Sequence, residues 1–398
     1  MKPNSDRQKF PKTCAEFFAG IGLMRMGLET QGWSALFAND IDVQKYKMYS
    51  SQFPDADTHF HLGDIHHLPA NEVPTVSLAT ASFPCTDLSL AGSRSGLSGK
   101  QSSAFWGFMS ILQDMGSRRP PIILLENVTG FLTSQGGADF REALIALNKL
   151  GYSVDAVVLD AAYFVPQSRQ RLFVVGVQND RQPGSVSTGL SFYGSTLRPK
   201  ALADFIFLHP EINWNLRDLP DPPRISCSLS CIVEDLPLVS PEWWSVERAS
   251  YLLEQMSPRH RMVADQMIAA PKWSYGTVFR RIRNEKSMAE LRTDGIAGCL
   301  RTPKGGSGRQ ILFKGGFGNY QVRLLTPREC ARLMGANDYQ INVPLNQALF
   351  GFGDAVCVPV VQWVAKNYLN PVLEELAKEY RLSSIVSKHP YEKVLANA

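Results

Sequence analysis

The sequence predicts an α/β protein built on a doubly wound, mostly parallel sheet, with a smaller and less regular domain inserted into it. Three observations carry that expectation. From residue 12 to about 176, short apolar runs alternate with amphipathic stretches, each run bounded by Gly, Pro, Asn or Asp, the rhythm of parallel strands joined by crossover helices. From about 180 to 321 the rhythm decays into loops bearing Pro, Ser and Trp. After Arg323 helical order returns, so the closing helices belong with the sheet and the middle is an insertion. The expected division is 1–180, 181–320 and 321–398, with a binding cleft between the sheet and the insertion.

In the first part, strands are expected at 13–18, 35–38, 76–80, 122–125, 153–159 and 171–177, and helices over 102–115 and 138–150 from the spacing of their apolar residues. In the middle part, residues 256–320 hold twelve Lys/Arg against four Asp/Glu, a local +8 that exceeds the +4 of the whole chain. Two similar turns, Lys304-Gly305-Gly306-Ser307-Gly308 and Lys314-Gly315-Gly316-Phe317-Gly318, flank a strand-like 310–313. Basic glycine turns bring backbone N–H groups close to phosphate, although a plain hairpin with solvated lysines has the same sequence. Trp243, Trp244 and Trp273 are expected in a small core rather than stacked on bases. In the last part, Thr326-Pro327-Arg328-Glu329 is the start of a capped helix, and 359–380 is apolar on one face.

Composition sets the limits. A chain of 398 residues, 44% hydrophobic and 20% charged, suffices for one large domain or two ordinary ones. Its first ten residues are polar, and no run of about eighteen apolar residues stands out, so neither a secretory signal nor a membrane span is expected. Seven cysteines scattered from Cys14 to Cys357 do not form a disulfide framework, which points to a reducing, cytoplasmic setting. His59, His61, His66 and His67 lack a spaced Cys or Glu partner set, and Cys227 and Cys231 lack a second pair, so no metal is expected.

The chemistry gathers at the ends of the expected strands. The first runs Glu16-Phe17-Phe18 into Ala19-Gly20-Ile21-Gly22, glycines that let backbone approach a ligand. A dinucleotide fingerprint would place Gly at position 25, which is Arg, so a pyrophosphate is disfavoured. Asp40, in Asn39-Asp40-Ile41-Asp42, is placed to accept from ribose hydroxyls, and Asp64, in Gly63-Asp64-Ile65, to accept from an exocyclic amine. An adenosyl group without pyrophosphate fits, and S-adenosylmethionine is the candidate. Next comes Ser82-Phe83-Pro84-Cys85-Thr86-Asp87 with a Gly/Ser-rich loop, the setting of a presented nucleophile. Leu125-Glu126-Asn127-Val128 sets a carboxylate at another strand end. Pro166-Gln167-Ser168-Arg169-Gln170-Arg171 brings two arginines to one side by alternation.

With these motifs in order, and with Arg323 to Glu329, Arg332-Leu333-Met334-Gly335 and Gly353-Asp354-Ala355-Val356 following, the chain resembles the DNA cytosine-5 methyltransferases of bacterial restriction-modification type, over nearly all of its length except about 181–320. The resemblance implies the Rossmann-like fold of class I S-adenosylmethionine-dependent methyltransferases, with 181–320 as target-recognition domain. It implies that Cys85 adds to carbon 6 of cytosine, Glu126 serves nitrogen 3, and Arg171 with Arg169 holds the ring oxygen and the catalytic loop. The target base is swung out of the duplex. Cofactor-binding residues carried over are Phe18, Ala19, Gly20, Ile21, Gly22, Asp40, Ile41, Asp64, Ile65, Pro84, Asp354 and Ala355. Departures from the family pattern at Leu23, Ile41, Thr86 and Asp354 bear on cofactor affinity. Double-stranded DNA is the implied partner, the chain acts as a monomer, and a cognate restriction endonuclease acts separately. Two other readings stay open: methylation of cytosine in transfer RNA, and a non-catalytic DNA-binding regulator on the same fold.

Overall fold

The computed structural model describes residues 10–84, 103–178, 194–225, 227–237, 239–283, 286–302 and 308–388. Among them, seven strands form the main sheet: β1 Thr13–Phe17, β2 Ser34–Asp40, β3 Phe60–Leu62, β4 Leu78–Ala81, β5 Ile122–Val128, β6 Tyr152–Asp160 and β7 Gln170–Gln178. Their order is β3-β2-β1-β4-β5-β7-β6. Every neighbour pair is parallel except those made by β7, which runs antiparallel to β5 and β6. Strands covered on both faces read as continuous apolar runs, and all four residues of β4 are buried. The three-residue β3 has no such run and is invisible in the sequence. Strand order reverses between β1 and β4, so a crevice opens at their carboxyl ends.

Helices cover both faces: α1 Leu23–Glu29, α2 Val43–Gln52, α3 Ser103–Met115, α4 Gly130–Thr133 and α5 Ala138–Lys149. On α3, Phe105, Phe108, Met109, Ile111, Leu112 and Met115 recur at helical spacing and are all buried. Each such side chain contributes about 1.5–3 kcal/mol. The segment after residue 194 also joins this body. In α6 Lys200–Leu208, Leu202, Phe205 and Ile206 pack into the same cluster as Phe140. The buried Arg198 pairs with Asp155 of β6 at 2.8 Å, and Trp214 bridges to Val154.

A second sheet has β8 Ser274–Arg283, β9 Lys286–Arg292, β10 Ile311–Gly316 and β11 Asn319–Leu324 in the order β11-β10-β8-β9, all antiparallel. One face is covered by α7 Val246–Glu254 and α8 Pro258–Ala269, which close a core around Leu252, Leu253, Val278, Leu291, Phe313 and Val322. The strand expected over 310–313 runs on through Gly316, so Lys314-Gly315-Gly316 is strand rather than turn. These glycines serve packing: a Cβ on Gly316 would lie 2.4 Å from the Lys272 carbonyl oxygen. The turn itself falls on Phe317 and Gly318, both at positive φ. Of its expected twin, residues 304–307 lie outside the described residues.

The chain returns through α9 Pro327–Leu333, where Thr326 and Glu329 form the capping box. It then runs through α10 Leu345–Asp354, α11 Val358–Val364 and α12 Asn370–Lys388, with α10 packed on α2 and α11 on α1. The contact with α1 is tight, since a Cβ on Gly27 would lie 2.5 Å from Val361. The stretch Leu345–Tyr380 is long and apolar enough to cross a membrane by composition, a feature that a search for unbroken apolar runs overlooks. Its most apolar window is 72% buried, and it supplies core residues from Ala348 to Leu373.

Candidate active site

Beyond β1 the backbone leaves extended geometry at once: Phe18, Gly20 and Gly22 all have positive φ. Gly22 is obligatory, because a Cβ there would lie 2.3 Å from the Phe53 ring. At Gly20 a Cβ would meet only the Phe18 carbonyl oxygen at 3.9 Å, so the turn faces open space. Ala19 and Ile21 are buried; Ile21 points its side chain into the core, and its carbonyl oxygen lies 2.8 Å from the Tyr339 hydroxyl. Within this turn Gly20 N–H donates to Asp40 Oδ2 at 2.8 Å, and Asp42 N–H donates to Oδ1 at 2.9 Å. Each oxygen keeps further accepting capacity. Burial pushes the Asp40 carboxyl up, opposed first by Lys45.

Lys45 is the residue that sequence reasoning missed here. Its ammonium pairs with Asp354 at 2.9 Å. Burial alone would lower it, but Asp354 and Asp40 outweigh burial and hold it above its ordinary value. The departure at Asp354 is thus neutralised locally. A signal existed, for Lys45 stands in the first turn of α2, capped by Asp42, where a cation opposes the helix dipole unless carboxylates are near.

Asp64 accepts from the His66 N–H at 3.0 Å and so caps a short 3-10 turn, while Asn39 Nδ2 donates to the His61 and Gly63 carbonyl oxygens at 2.9 Å each. Ile65 is buried in the core, which leaves only its backbone for a ligand. Ile41, by contrast, is 66% exposed beside Asp40, an apolar surface on which a planar ring can lie. The four histidines diverge. His59 lies 3.1 Å from both Arg25 and the Tyr49 hydroxyl, His61 pairs with Glu72, and His66 contacts Ser103.

Arg25 explains the missing glycine. Its guanidinium lies 4.0 Å from the Phe53 ring centroid and bonds Glu29, Tyr49 and Asp55, bracing the aromatic pair against which Gly22 packs. Beneath it Glu16 is buried, with Oε2 lacking a hydrogen-bond partner, and burial pushes its carboxyl up to about 8 despite Arg25.

Cys85 and the loop after it to residue 102 lie outside the described residues. Its root is described: Phe83 is buried, its carbonyl oxygen accepts from Asn127 Nδ2 at 3.1 Å, and Pro84 is exposed. Across the root, Arg171 Nε meets Glu126 Oε1 at 3.0 Å, with side chains only 15% and 7% exposed. The reversal of β7 makes this pair. Glu126 lies opposite Phe173, two residues from Arg171, so the two side chains share a face diagonally.

Arg169 lies deeper than alternation along the chain implies. It is expected beside Arg171, yet it precedes β7 and is buried, donating to the carbonyl oxygens of Leu300, Gly353 and Ala355. Its two terminal nitrogens thus hold the loop bearing Asp354 and Ala355, while its Nε is buried without a hydrogen-bond partner. Gln167 acts alongside, donating to the Leu333 oxygen at 2.8 Å and accepting from Leu300 N–H at 3.0 Å. Cys299, which the sequence did not single out, lies 3.3 Å from Arg169. Burial raises its thiol, but Arg169, Arg171 and Arg301 together pull it below its ordinary value.

A mostly parallel sheet with one reversed strand and a glycine turn at its switch point make the α/β methyltransferase fold. The chain belongs to the C-5 cytosine-specific DNA methylase family, whose model matches residues 12–370, and it is a DNA (cytosine-5) methyltransferase. Among its relatives, the Type II methyltransferase M.DsaV of Dactylococcopsis salina is 29% identical, covering 92% of this chain and 88% of that one. M.HhaI of Haemophilus parahaemolyticus is 27% identical over 91% and 95%. Among solved structures, the S. pombe Dnmt2 methyltransferase shares the fold at TM-score 0.59 and 19% identity, covering 92% of this chain and 98% of that one.

Proposed function

We propose that this methyltransferase acts on cytosine within a specific sequence of duplex DNA, with S-adenosylmethionine as donor and Cys85 as nucleophile. The observation that carries the reading is the Glu126–Arg171 pair, buried beside the root of the Cys85 loop. The cofactor fits the open turn at Gly20, with Asp40 accepting from ribose hydroxyls, the Asp64 turn meeting the adenine edge and Ile41 under the ring. Pro84, Phe18, Ala355 and the backbone of Ala19, Ile21, Gly22 and Ile65 complete its surroundings. When bound, it supplies an electrophilic methyl group on a sulfonium.

The chain's own residues do the rest. The Cys85 thiolate adds to carbon 6 of the flipped base, and electron density moves toward carbon 5. Glu126 gives a proton to nitrogen 3 as that charge builds, and Arg171 orients Glu126 and meets the ring oxygen. After transfer a base takes the proton from carbon 5, the C5–C6 double bond re-forms as Cys85 leaves as thiolate, and Glu126 recovers its proton from nitrogen 3. Residues 181–320 read the sequence, 1–180 and 321–398 carry the chemistry, and the enzyme works as a cytoplasmic monomer paired with a separate restriction endonuclease.

Duplex DNA carrying 5-fluorocytosine at the methylated position tests the mechanism, because fluorine does not leave as a proton does. A denaturation-resistant protein–DNA adduct is expected from the wild type and none from Cys85→Ser, which is also expected to lose turnover while retaining DNA binding. Sustained methyl transfer by Cys85→Ser would refute the reading.

A further inference from the structure

The second sheet carries a pair of cations that the pocket chemistry does not use. Trp244 precedes α7, its N–H donates to the Val322 oxygen at 2.8 Å, and its half-buried ring packs on the core of this sheet. The guanidinium of Arg248 lies 3.9 Å from the ring centroid and that of Arg280 lies 5.8 Å from it. Alternation along β8 brings Arg280 there: Val278, on the same face, is buried under α7, and Arg280 is the next residue outward. Among the described residues neither guanidinium forms an ion pair, and Nε of Arg280 is buried without a hydrogen-bond partner.

Neighbouring arginines are handled differently. Arg281, on the opposite face, pairs with Glu290 at 3.5 Å, and Arg292 pairs with Asp294 at 2.7 Å. Arg248 also stands in the first turn of α7, where the helix dipole opposes a cation. An exposed cation such as Arg248 gains only about 0.5–1 kcal/mol from an indole face. That gain works against both the repulsion between two guanidinium groups and the dipole. The arrangement is complementary to an anion with several oxygen atoms, and the sheet bearing it belongs to the most basic part of the chain.

We propose that Trp244, Arg248 and Arg280 form a binding site for a backbone phosphate of the DNA substrate. The proposal rests on the DNA reading above and assigns the sequence-independent part of it: the two guanidinium groups donate to phosphate oxygens while the indole fixes their positions. Arg281 is neutralised by Glu290 and is not part of the site.

The test measures duplex affinity of the full chain against salt, on DNA with and without the methylated site. Arg248→Gln and Arg280→Gln are each expected to weaken both duplexes by the same factor and to lower the slope of log K against log salt by about one unit, whereas Arg248→Lys keeps the slope. The Arg248 side chain is exposed, so its variants leave folding intact, and an unchanged thermal midpoint checks this. An unchanged slope in both Gln variants, beside a steep slope in the wild type, would overturn the proposal. Weakening confined to the recognised duplex would also overturn it, by making these residues base readers. A wild-type chain without salt-dependent duplex binding would overturn the DNA reading itself, and this site with it.

Discussion

Glu16 couples the fold to pH through its buried carboxyl. Unfolded, it ionises near its ordinary 4.5; folded, burial moves it to about 8. Between those values the native state holds one proton more than the unfolded chain, so stability falls as pH rises from about 4.5 to about 8, by at most about 1.4 kcal/mol per pH unit. Glu16→Gln is expected to flatten that slope in urea unfolding series across the window, and an unaltered slope would show that Glu16 is not its source. Lys45 offers a second residue-scale prediction. Lys45→Met leaves Asp40 and Asp354 without their common counter-charge and is expected to weaken S-adenosylmethionine by about 1–3 kcal/mol in calorimetry. Adding Asp354→Asn is expected to restore part of the loss, a coupling that a merely structural lysine would not show.

At the scale of elements, the return from the second sheet to the α/β body turns on β11 and α9. Arg323 and Glu329 are both fully buried and meet at 2.6 Å, and Glu329 also accepts from the N–H groups of Thr326 and Glu234. Removing one partner strands the other charge, so Glu329→Gln is expected to cost roughly 3–5 kcal/mol in chemical denaturation, against about 1–2 kcal/mol for Thr326→Ala, which loses the cap and a hydrogen bond to the Glu234 carboxylate. Comparable losses for the two would contradict this ranking. The cap was legible from four consecutive residues. The ion pair was not, because Glu329 looks like an ordinary capping residue until Arg323 is folded against it. Arg169 follows the same logic. Alternation puts it beside Arg171, but β7 begins at Gln170, and three carbonyl oxygens from two distant loops claim its two terminal nitrogens.

At the scale of the molecule, the apolar clusters show what the insertion is made of. Residues 246–291 and 311–322 enclose their own core, while Leu202, Phe205, Ile212 and Trp214 pack with the main sheet, as do Ala297 and Leu300. If residues 181–320 read DNA, grafting them into a relative of known specificity is expected to move methylation to a new sequence. The packing adds that grafting only 244–322 is expected to give a better-folded chimera, since the longer graft cuts the Arg198–Asp155 pair and the α6 contacts. An active chimera that still methylates the recipient's own site would refute the assignment of specificity.

The sequence by itself determined the α/β rhythm, the order of the motifs and the capped start at Thr326, and it singled out Cys85, Glu126, Arg171, Asp40 and the Gly20–Gly22 turn as candidates. Each is a local signal: a run of apolar residues, a cap, or a reactive residue at the end of a strand. Only the tertiary structure decided the antiparallel course of β7 that joins Glu126 to Arg171, the Lys45–Asp354 pair, the inward turn of Arg169 and the placing of Arg248 and Arg280 on one indole. These partners lie tens to hundreds of residues apart, and a charge is settled by whichever group reaches it in space, which spacing along the chain does not encode.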